Sequence, residues 1–374
     1  MRKRGAISVK DMVPSSILNI TPYIPGKPIE EVKRELGVDK VIKLASNENP
    51  LGPSPKAIQA IRDYAPQVHL YPDGGAYYLK QELAKHIKVS PENIIVGNGS
   101  DEIISIITRV FIQKGDQAIM GYPSFLMYSI DTKLSQGEII SVPLKEFRLD
   151  ISGIIEALTP KTKLIFISNP NNPTGTIVKR EEMEKLLEKL SPNVLVICDE
   201  AYYEYVDDPE YPDTISWVKE GRNIITLRTF SKIYGLAGLR VGYGVARKEI
   251  IWILNKARPP FNVNSLAQVA ACASLQDKEH LEKSKNLVKE EKKFLYKSFE
   301  ELGIPFIPTQ ANFILINTGE ETEKIVNSLL KKGIIVRSMK AYNLPDYIRL
   351  TIAVSYTHLR AHETSLHLVC RLLL

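Results

Sequence analysis

TFSKIYGLAGLRVGYG, residues Thr229–Gly244, decides how the rest of the chain is read. The apolar run NIITL (Asn223–Leu227) reads as a buried strand that delivers the chain into Arg228-Thr229-Phe230-Ser231-Lys232. A glycine-rich loop follows, with Gly235 and Gly238, then Arg240 and a second short strand, VGYGV. A lysine just past a buried strand, flanked by hydroxyls and followed by an arginine, suits a covalent bond between its amine and an aldehyde. Ser231 and Arg240 could hold a phosphate on the same ligand, and the glycines let backbone come close. A Ser-Lys pair by itself is more often a surface lysine beside a strand. The remainder of the chain shifts the balance.

The chain has 374 residues, enough to bury roughly three quarters of its unfolded surface in one large domain plus a smaller one. With 44% hydrophobic and 25% charged residues, it falls in the globular range and outside the disordered one. The net charge of +6 is modest for this length. No run of like charges marks a nucleic-acid tail, so no nucleic-acid partner is expected. Cys198, Cys272 and Cys370 are widely spaced, with no CxxC, which points to a reducing compartment. The start, MRKRGAISVK, is basic but has no apolar core. No stretch reaches about 18 apolar residues. A cytoplasmic chain with no membrane span is expected.

Residues 1–45 read as an arm joining the small domain: SSILNITPYIPGKP is proline-rich and irregular, and IEEVKRELG is a short helix stopped by Gly37. LASNENPLGPSP (Leu44–Pro55) is a loop of turn formers. Short apolar strands then alternate with helices through NIIVGN, KLIFISNPNNPTG, NVLVICDEAYYEYV and NIITLRTFSK. This pattern predicts an α/β fold, with a mostly parallel sheet flanked by helices in a large domain over 46–260. After Pro259-Pro260 come two long helical patterns, then FIPTQANFILINTG, EKIVNSLLKKG, IIVRSM and YIRLTI, which predict a smaller α+β domain over 261–352.

Three further sites converge on Lys232, and the cofactor that suits the set is pyridoxal phosphate (PLP). NVLVICDEAY ends a strand at Asp199. PLP works as an electron sink when its ring nitrogen stays protonated, and a buried carboxylate beside that nitrogen ensures this. Taken alone, an aspartate after a strand is more often a turn or cap residue. Tyr202, three residues on, could donate to the cofactor's phenolic oxygen. In SNPNNPTG, Asn172 could do the same, although such a cluster is more often a simple turn. In GNGSDE a strand turns through Gly97 and Gly99 into a helix beginning near Ser100 and Asp101, whose free N–H groups could grip a phosphate. Asp101 sits awkwardly beside an anion and is expected to cap that helix instead. The GxG lacks the third glycine of a dinucleotide fingerprint. Phe125, in GYPSFLMY, reads equally as a ring-stacking residue or as core. No metal site is apparent, His358 and His362 in HLRAHE having no companion ligands, and no GxSxG is present.

On PYIPGKPIEEVKRELG, LASNENPLGPSP, YPDGG, GNGSDE, NPNNPTG, DEAYYEY, TFSKIYGLAGLRVGY, ANFILI and RLTI, the chain resembles the fold-type I PLP-dependent aminotransferases from about residue 17 to residue 352. NPNNPTG and DEAY occur widely in that superfamily, whereas PYIPGKP with LASNENP is narrower and points to its histidinol-phosphate branch. The resemblance implies that Lys232 is the Schiff-base lysine and proton shuttle and that Asp199 pairs the ring nitrogen. Asn172 and Tyr202 would bind the phenolic oxygen. Ser100, Ser231 and Arg240, with the Gly99–Ser100 backbone at the helix start, would bind the phosphate, Asp101 would belong to the cofactor-binding set, and Phe125 would stack on the ring. Tyr71 falls where the family reaches a partner subunit's cofactor phosphate, so a homodimer with shared sites is implied. Arg349, helped by Arg337, matches the substrate-anion arginine, with Tyr23 and Asn47 closing over the substrate. The implied reaction moves an amino group from glutamate to a phosphorylated keto compound, giving 2-oxoglutarate and histidinol phosphate, or the reverse.

The final stretch, AVSYTHLRAHETSLHLVCRLLL (353–374), departs from the family, which continues with a Gly-containing turn and a charged amphipathic helix. Three of the six histidines fall there. It reads as a non-native tail from a frameshift or from read-through into adaptor DNA, and it puts the placement of Arg349 most in doubt. Sequencing the source gene across codon 353 on an independent template tests this, and the same tail on that template would contradict it. Rival readings that share the cofactor are an aromatic amino-acid aminotransferase and a threonine-phosphate decarboxylase. A non-catalytic regulator on the same scaffold is a rival of another class.

Overall fold

In the computed structural model, which describes residues 8–353, the first strand, β1 (Ile42–Lys43), lies at the end of the arm. The main sheet has seven strands: β2 (Ile94–Gly97), β3 (Gln117–Tyr122), β4 (Glu138–Pro143), β5 (Thr162–Ser168), β6 (Leu195–Asp199), β7 (Ile224–Thr229) and β8 (Gly242–Val245). Their order is β2-β8-β7-β6-β5-β3-β4. All neighbouring pairs are parallel except those of β8, which runs antiparallel to both β2 and β7.

The central strands are apolar along their length because both faces are covered. On β6, Leu195 and Ile197 enter one core cluster with Leu164 and Phe166 of β5, while Val196 and Cys198 enter the other with Ile165 and Ile167. This is the period-2 alternation of a strand, with apolar packing on either side. The helix Ser100–Phe111 belongs to the first face, and the helices Pro55–Tyr64 and Tyr77–Ile87 to the second. The helix Ser265–Leu275 packs on those last two.

A second, antiparallel sheet is built from β9 (Phe306–Ile307), β10 (Phe313–Asn317), β12 (Arg337–Ser338) and β13 (Tyr347–Thr351), in the order β12-β13-β10-β9. Just before β12, β11 (Ile334–Ile335) pairs in parallel with β1, tying the end of the arm to this part of the chain. The helix Ile29–Leu36 ends at Gly37 in the left-handed conformation (φ 65°), as the sequence predicts.

This topology decides where side chains meet. The carboxyl ends of β2, β3, β5, β6 and β7 share one edge, and the reversed β8 brings its amino end, with Arg240, to the same edge. That crevice is where open α/β sheets bind ligands. Among the described residues no helix is long and apolar enough to cross a membrane, and no group of His, Cys, Asp and Glu could hold a metal ion. The atypical tail, with His358 and His362, lies outside the described residues beyond Ala353.

Candidate active site

At the carboxyl edge a cavity of about 290 Å³ opens between the two sheets. Lys232, Asp199, Ser231 and Arg240 line it from the main sheet, and Arg337 and Arg349 from the small one. Ser100, Asp101, Phe125, Asn172 and Tyr202 complete its walls, with Tyr23 and Asn47 from the arm side. Of the residues singled out in the sequence, Gly99 and Tyr71 stand outside this lining.

Lys232 Nζ donates to the Ser46 carbonyl at 3.0 Å and lies 5.6 Å from the Tyr202 ring centre. Burial pulls its pKa down to about 7, and the Arg349 and Arg240 charges add to the fall against Glu48 and Asp199. A large fraction of the amine is therefore neutral, and nucleophilic, near neutral pH. Asp199 is 5% exposed. Burial pushes its pKa up to about 6, while hydrogen bonds from the Tyr128 hydroxyl and the Ala201 amide pull it down.

Arg240 reaches back from a left-handed backbone conformation (φ 56°) and donates to Ser231 Oγ at 3.2 Å. Its guanidinium lies against Gly99, where a Cβ would sit 2.5 Å from one terminal nitrogen. Gly99, with φ 82°, is the N-cap of the helix Ser100–Phe111, and no side chain caps it. The expected capping by Asp101 does not occur. Glu102 accepts from the Asn98 amide at 2.7 Å instead, and Asp101 Oδ1 is buried without a partner. The first-turn amides, Ser231 and Arg240 thus surround one end of the cavity as an anion cradle.

At the other end, Arg337 and Arg349 are direct cross-strand partners on β12 and β13. Like charges set opposite each other are unfavourable unless an anion joins them. Arg349 is 6% exposed, gives Nη2 to the Ala45 carbonyl at 2.9 Å and Nη1 to Asn172 Oδ1, and leaves Nε buried without a partner. Arg337 donates to the Ile24 carbonyl at 2.6 Å and faces the Tyr23 ring at 5.7 Å. Asn47 takes a left-handed conformation (φ 57°) and donates to the Tyr202 hydroxyl at 2.9 Å. It is held there by Thr351, whose hydroxyl accepts its amide N–H at 3.0 Å, and by the Asn312 side-chain amide. Burial pushes the Tyr202 pKa up to about 12, so its hydroxyl stays protonated.

Sequence reading passed over Ser46, Tyr128, Thr351 and Asn312. They lie in LASNENP, GYPSFLMY, RLTI and ANFILI, and nothing in those stretches distinguishes the residues that make the contacts.

A sheet whose carboxyl edge carries a lysine, a buried carboxylate and an anion cradle defines a class, and the family profile described as Aminotransferase class I and II matches residues 39–361. The chain belongs to that family. The Histidinol-phosphate aminotransferase of Moorella thermoacetica is 51% identical to it over 338 residues, spanning 90% of this chain and 88% of the relative. That of Caldicellulosiruptor saccharolyticus is 51% identical over 335 residues, 90% of this chain and 94% of its own. The crystal structure of histidinol-phosphate aminotransferase from Sinorhizobium meliloti in complex with pyridoxal-5'-phosphate superposes with a TM-score of 0.86 at 26% identity, covering 96% of each chain. This fold is the fold-type I aminotransferase fold that the sequence led us to expect.

Proposed function

We propose that this chain is a PLP-dependent aminotransferase that moves an amino group between L-histidinol phosphate and 2-oxoglutarate. The curated relatives at 51% identity support the reaction. The observation that carries it on the structural side is the opposed Arg337–Arg349 pair, which lines the same cavity as Lys232, with a buried Arg349 Nε still lacking an acceptor. A phosphate or a carboxylate supplies that acceptor, and one guanidinium pair can serve both co-substrates.

The residues present fit PLP. The Gly99–Ser100 turn, Ser231 and Arg240 form a cradle that a single Cβ would fill. Asp199 offers the ring nitrogen a buried carboxylate. With its Oδ1 taken by Arg349, Asn172 has its amide hydrogens left to donate to the phenolic oxygen, and protonated Tyr202 can donate beside it. Phe125 lies on the wall where the ring would stack. When bound, PLP supplies an aldehyde carbon to receive the amino group and a ring to take up the electron pair released at the substrate carbon.

The protein's own part is to bind, orient and move a proton. Arg349 and Arg337 hold the substrate anion and fix the reacting carbon near Lys232. Lys232 Nζ, with a large neutral fraction at physiological pH, would hold the cofactor through its aldehyde carbon and, as a free amine, is the group placed to carry the proton to and from the substrate α-carbon. Asn47 and Tyr23 close the arm side of the cavity. A coupled assay with L-histidinol phosphate and 2-oxoglutarate tests the reaction. Glutamate formation supports it, and turnover confined to aromatic amino acids overturns the substrate reading.

Two further parts of the reading extend it. A large domain over 46–260, a small one over 261–352 and an arm over 1–45 are proposed, with the cavity between the two sheets. A homodimer is proposed because Tyr71 (82% exposed) stacks on Phe261 at 4.8 Å beside exposed Leu70 and Tyr78. A second copy would cover this patch and bring Tyr71 to the partner's phosphate cradle. A cytoplasmic setting accords with such a biosynthetic reaction.

A further inference from the structure

The hydroxyl of Tyr128 donates to Asp199 Oδ2 at 2.7 Å, the most direct contact that carboxylate makes with another side chain. Tyr128 is fully buried and cannot turn away. Its ring stacks on Phe166 of β5 at 4.7 Å with planes 6° apart, and Phe125 meets it edge-on at 5.5 Å. It sits on the helix Met127–Leu134, one turn after Phe125, whose carbonyl accepts its amide at 3.3 Å. One side chain thus links the residue placed to stack on the cofactor ring to the residue placed to pair its nitrogen.

We infer that Tyr128 is a positioning residue for Asp199, whose carboxylate it holds, by a donated hydrogen bond from a locked ring, in the orientation that faces the cavity. The inference rests on the reading of Asp199 as the ring-nitrogen partner. Chemically, a donor to a buried carboxylate favours the ionised form and offsets the desolvation that favours the acid. Ionised Asp199 keeps a proton on the ring nitrogen, and a neutral Asp199 does so less well. Other groups act on the same carboxylate. Asp101, from the helix after β2, and Glu200, next in the chain, raise its proton affinity. Lys232, Tyr202 and Cys198 lie within electrostatic range. Ser168 of β5, near the Tyr128 hydroxyl, favours loss of its proton. Tyr128 is the neighbour that acts by a directed hydrogen bond from a side chain with no freedom to move.

The test is Tyr128→Phe, which keeps the ring and its packing and removes the donor. In the cofactor-free protein, the Asp199 carboxyl is titrated by carbon-13 NMR on aspartate-labelled chain, with Asp199→Asn identifying the signal. The expected midpoint rises by roughly one pH unit. In the PLP-loaded protein, the pH midpoint of the bound-cofactor absorbance is expected to move with it, and kcat to fall about tenfold with KM for both substrates little changed. A second protein carries 3-fluorotyrosine at position 128. The more acidic phenol is a stronger donor, and the Asp199 midpoint is expected to move the opposite way. An Asp199 midpoint unmoved in both proteins overturns the inference. Opposed shifts without PLP, in a protein whose absorbance shows no bound PLP, support the Tyr128 link and reject the cofactor reading, so the two failures stay separate.

Discussion

At the residue scale, Lys232 and Arg349 carry the proposed chemistry and substrate binding. Lys232→Ala is expected to abolish transamination while leaving the thermal transition within a few degrees of the parent, because the amine removed carries a charge that burial already disfavours. Appreciable steady-state turnover in that variant would reject the assignment. Capture of PLP by cofactor-free protein is expected to speed up through a midpoint near 7 and then level off, since the amine, lowered to about 7, is neutral above it. A rate climbing without plateau to about pH 10 would show an ordinary lysine. Arg349→Ala should raise KM for both co-substrates by roughly 10–100-fold, about 1.4–2.7 kcal/mol, with PLP still bound. Unchanged KM for both would remove it from the substrate site. Lys232 and Asp199 are legible in the chain because each stands at or just past the end of an apolar strand, and parallel strands end at one sheet edge; Arg240 is legible only through the glycine-rich loop that joins it to Lys232. Tyr128 and Ser46 are not. Their contacts span 71 and 186 residues, and only the packed sheet brings them together. The position of Asp101 at a helix start suits a cap, but the structure gives it none of a cap's hydrogen bonds. Its burial beside the cavity, which removes that role, is a tertiary fact.

At the element scale, the loop of Lys232 is pinned by the LASNENP stretch. Asn49 donates to the Ile233 carbonyl at 2.6 Å and to Ser284 Oγ at 2.9 Å. Gly235 takes φ 68°, and a Cβ there would meet the Gly52 carbonyl oxygen at 2.2 Å. Gly235→Ala must therefore displace one backbone from the other as well as adopt a left-handed conformation, at a cost of at least about 2 kcal/mol. A lowered Tm together with weaker PLP retention on dialysis is expected, and parent-like values of both would show that the two loops move independently. The strands of the main sheet were readable from their apolar runs. The reversal of β8 was not, because the apolar pattern of a strand carries no information on the direction in which it pairs. That reversal brings Arg240 to the cradle. Nor did IIVRSM and RLTI reveal that Arg337 and Arg349 face each other, since a cross-strand register depends on the pairing of the whole small sheet.

At the scale of the whole molecule, buried acids couple stability to pH. Asp131 and Asp199 are pushed up to about 6 and Glu204 to about 7, in each case chiefly by burial. The folded chain keeps these protons where the unfolded chain has released them, so in the cofactor-free protein their contribution to stability is lost as pH rises between about 4 and 7. Asp131, 4% exposed with Oδ2 unpartnered, reports this without touching the cavity. Relative to the parent, Asp131→Asn is expected to gain on the order of 1–3 kcal/mol in denaturant unfolding at pH 8 over pH 5. An equal difference at the two pH values would contradict the assignment of that proton. Cofactor, reaction and substrate are all addressed by one measurement: the visible absorbance of the purified protein with PLP, before and after L-histidinol phosphate and then 2-oxoglutarate. The account predicts a band of protein-bound cofactor that collapses on the first addition and returns on the second. A bound-cofactor band that L-histidinol phosphate leaves unchanged would contradict it.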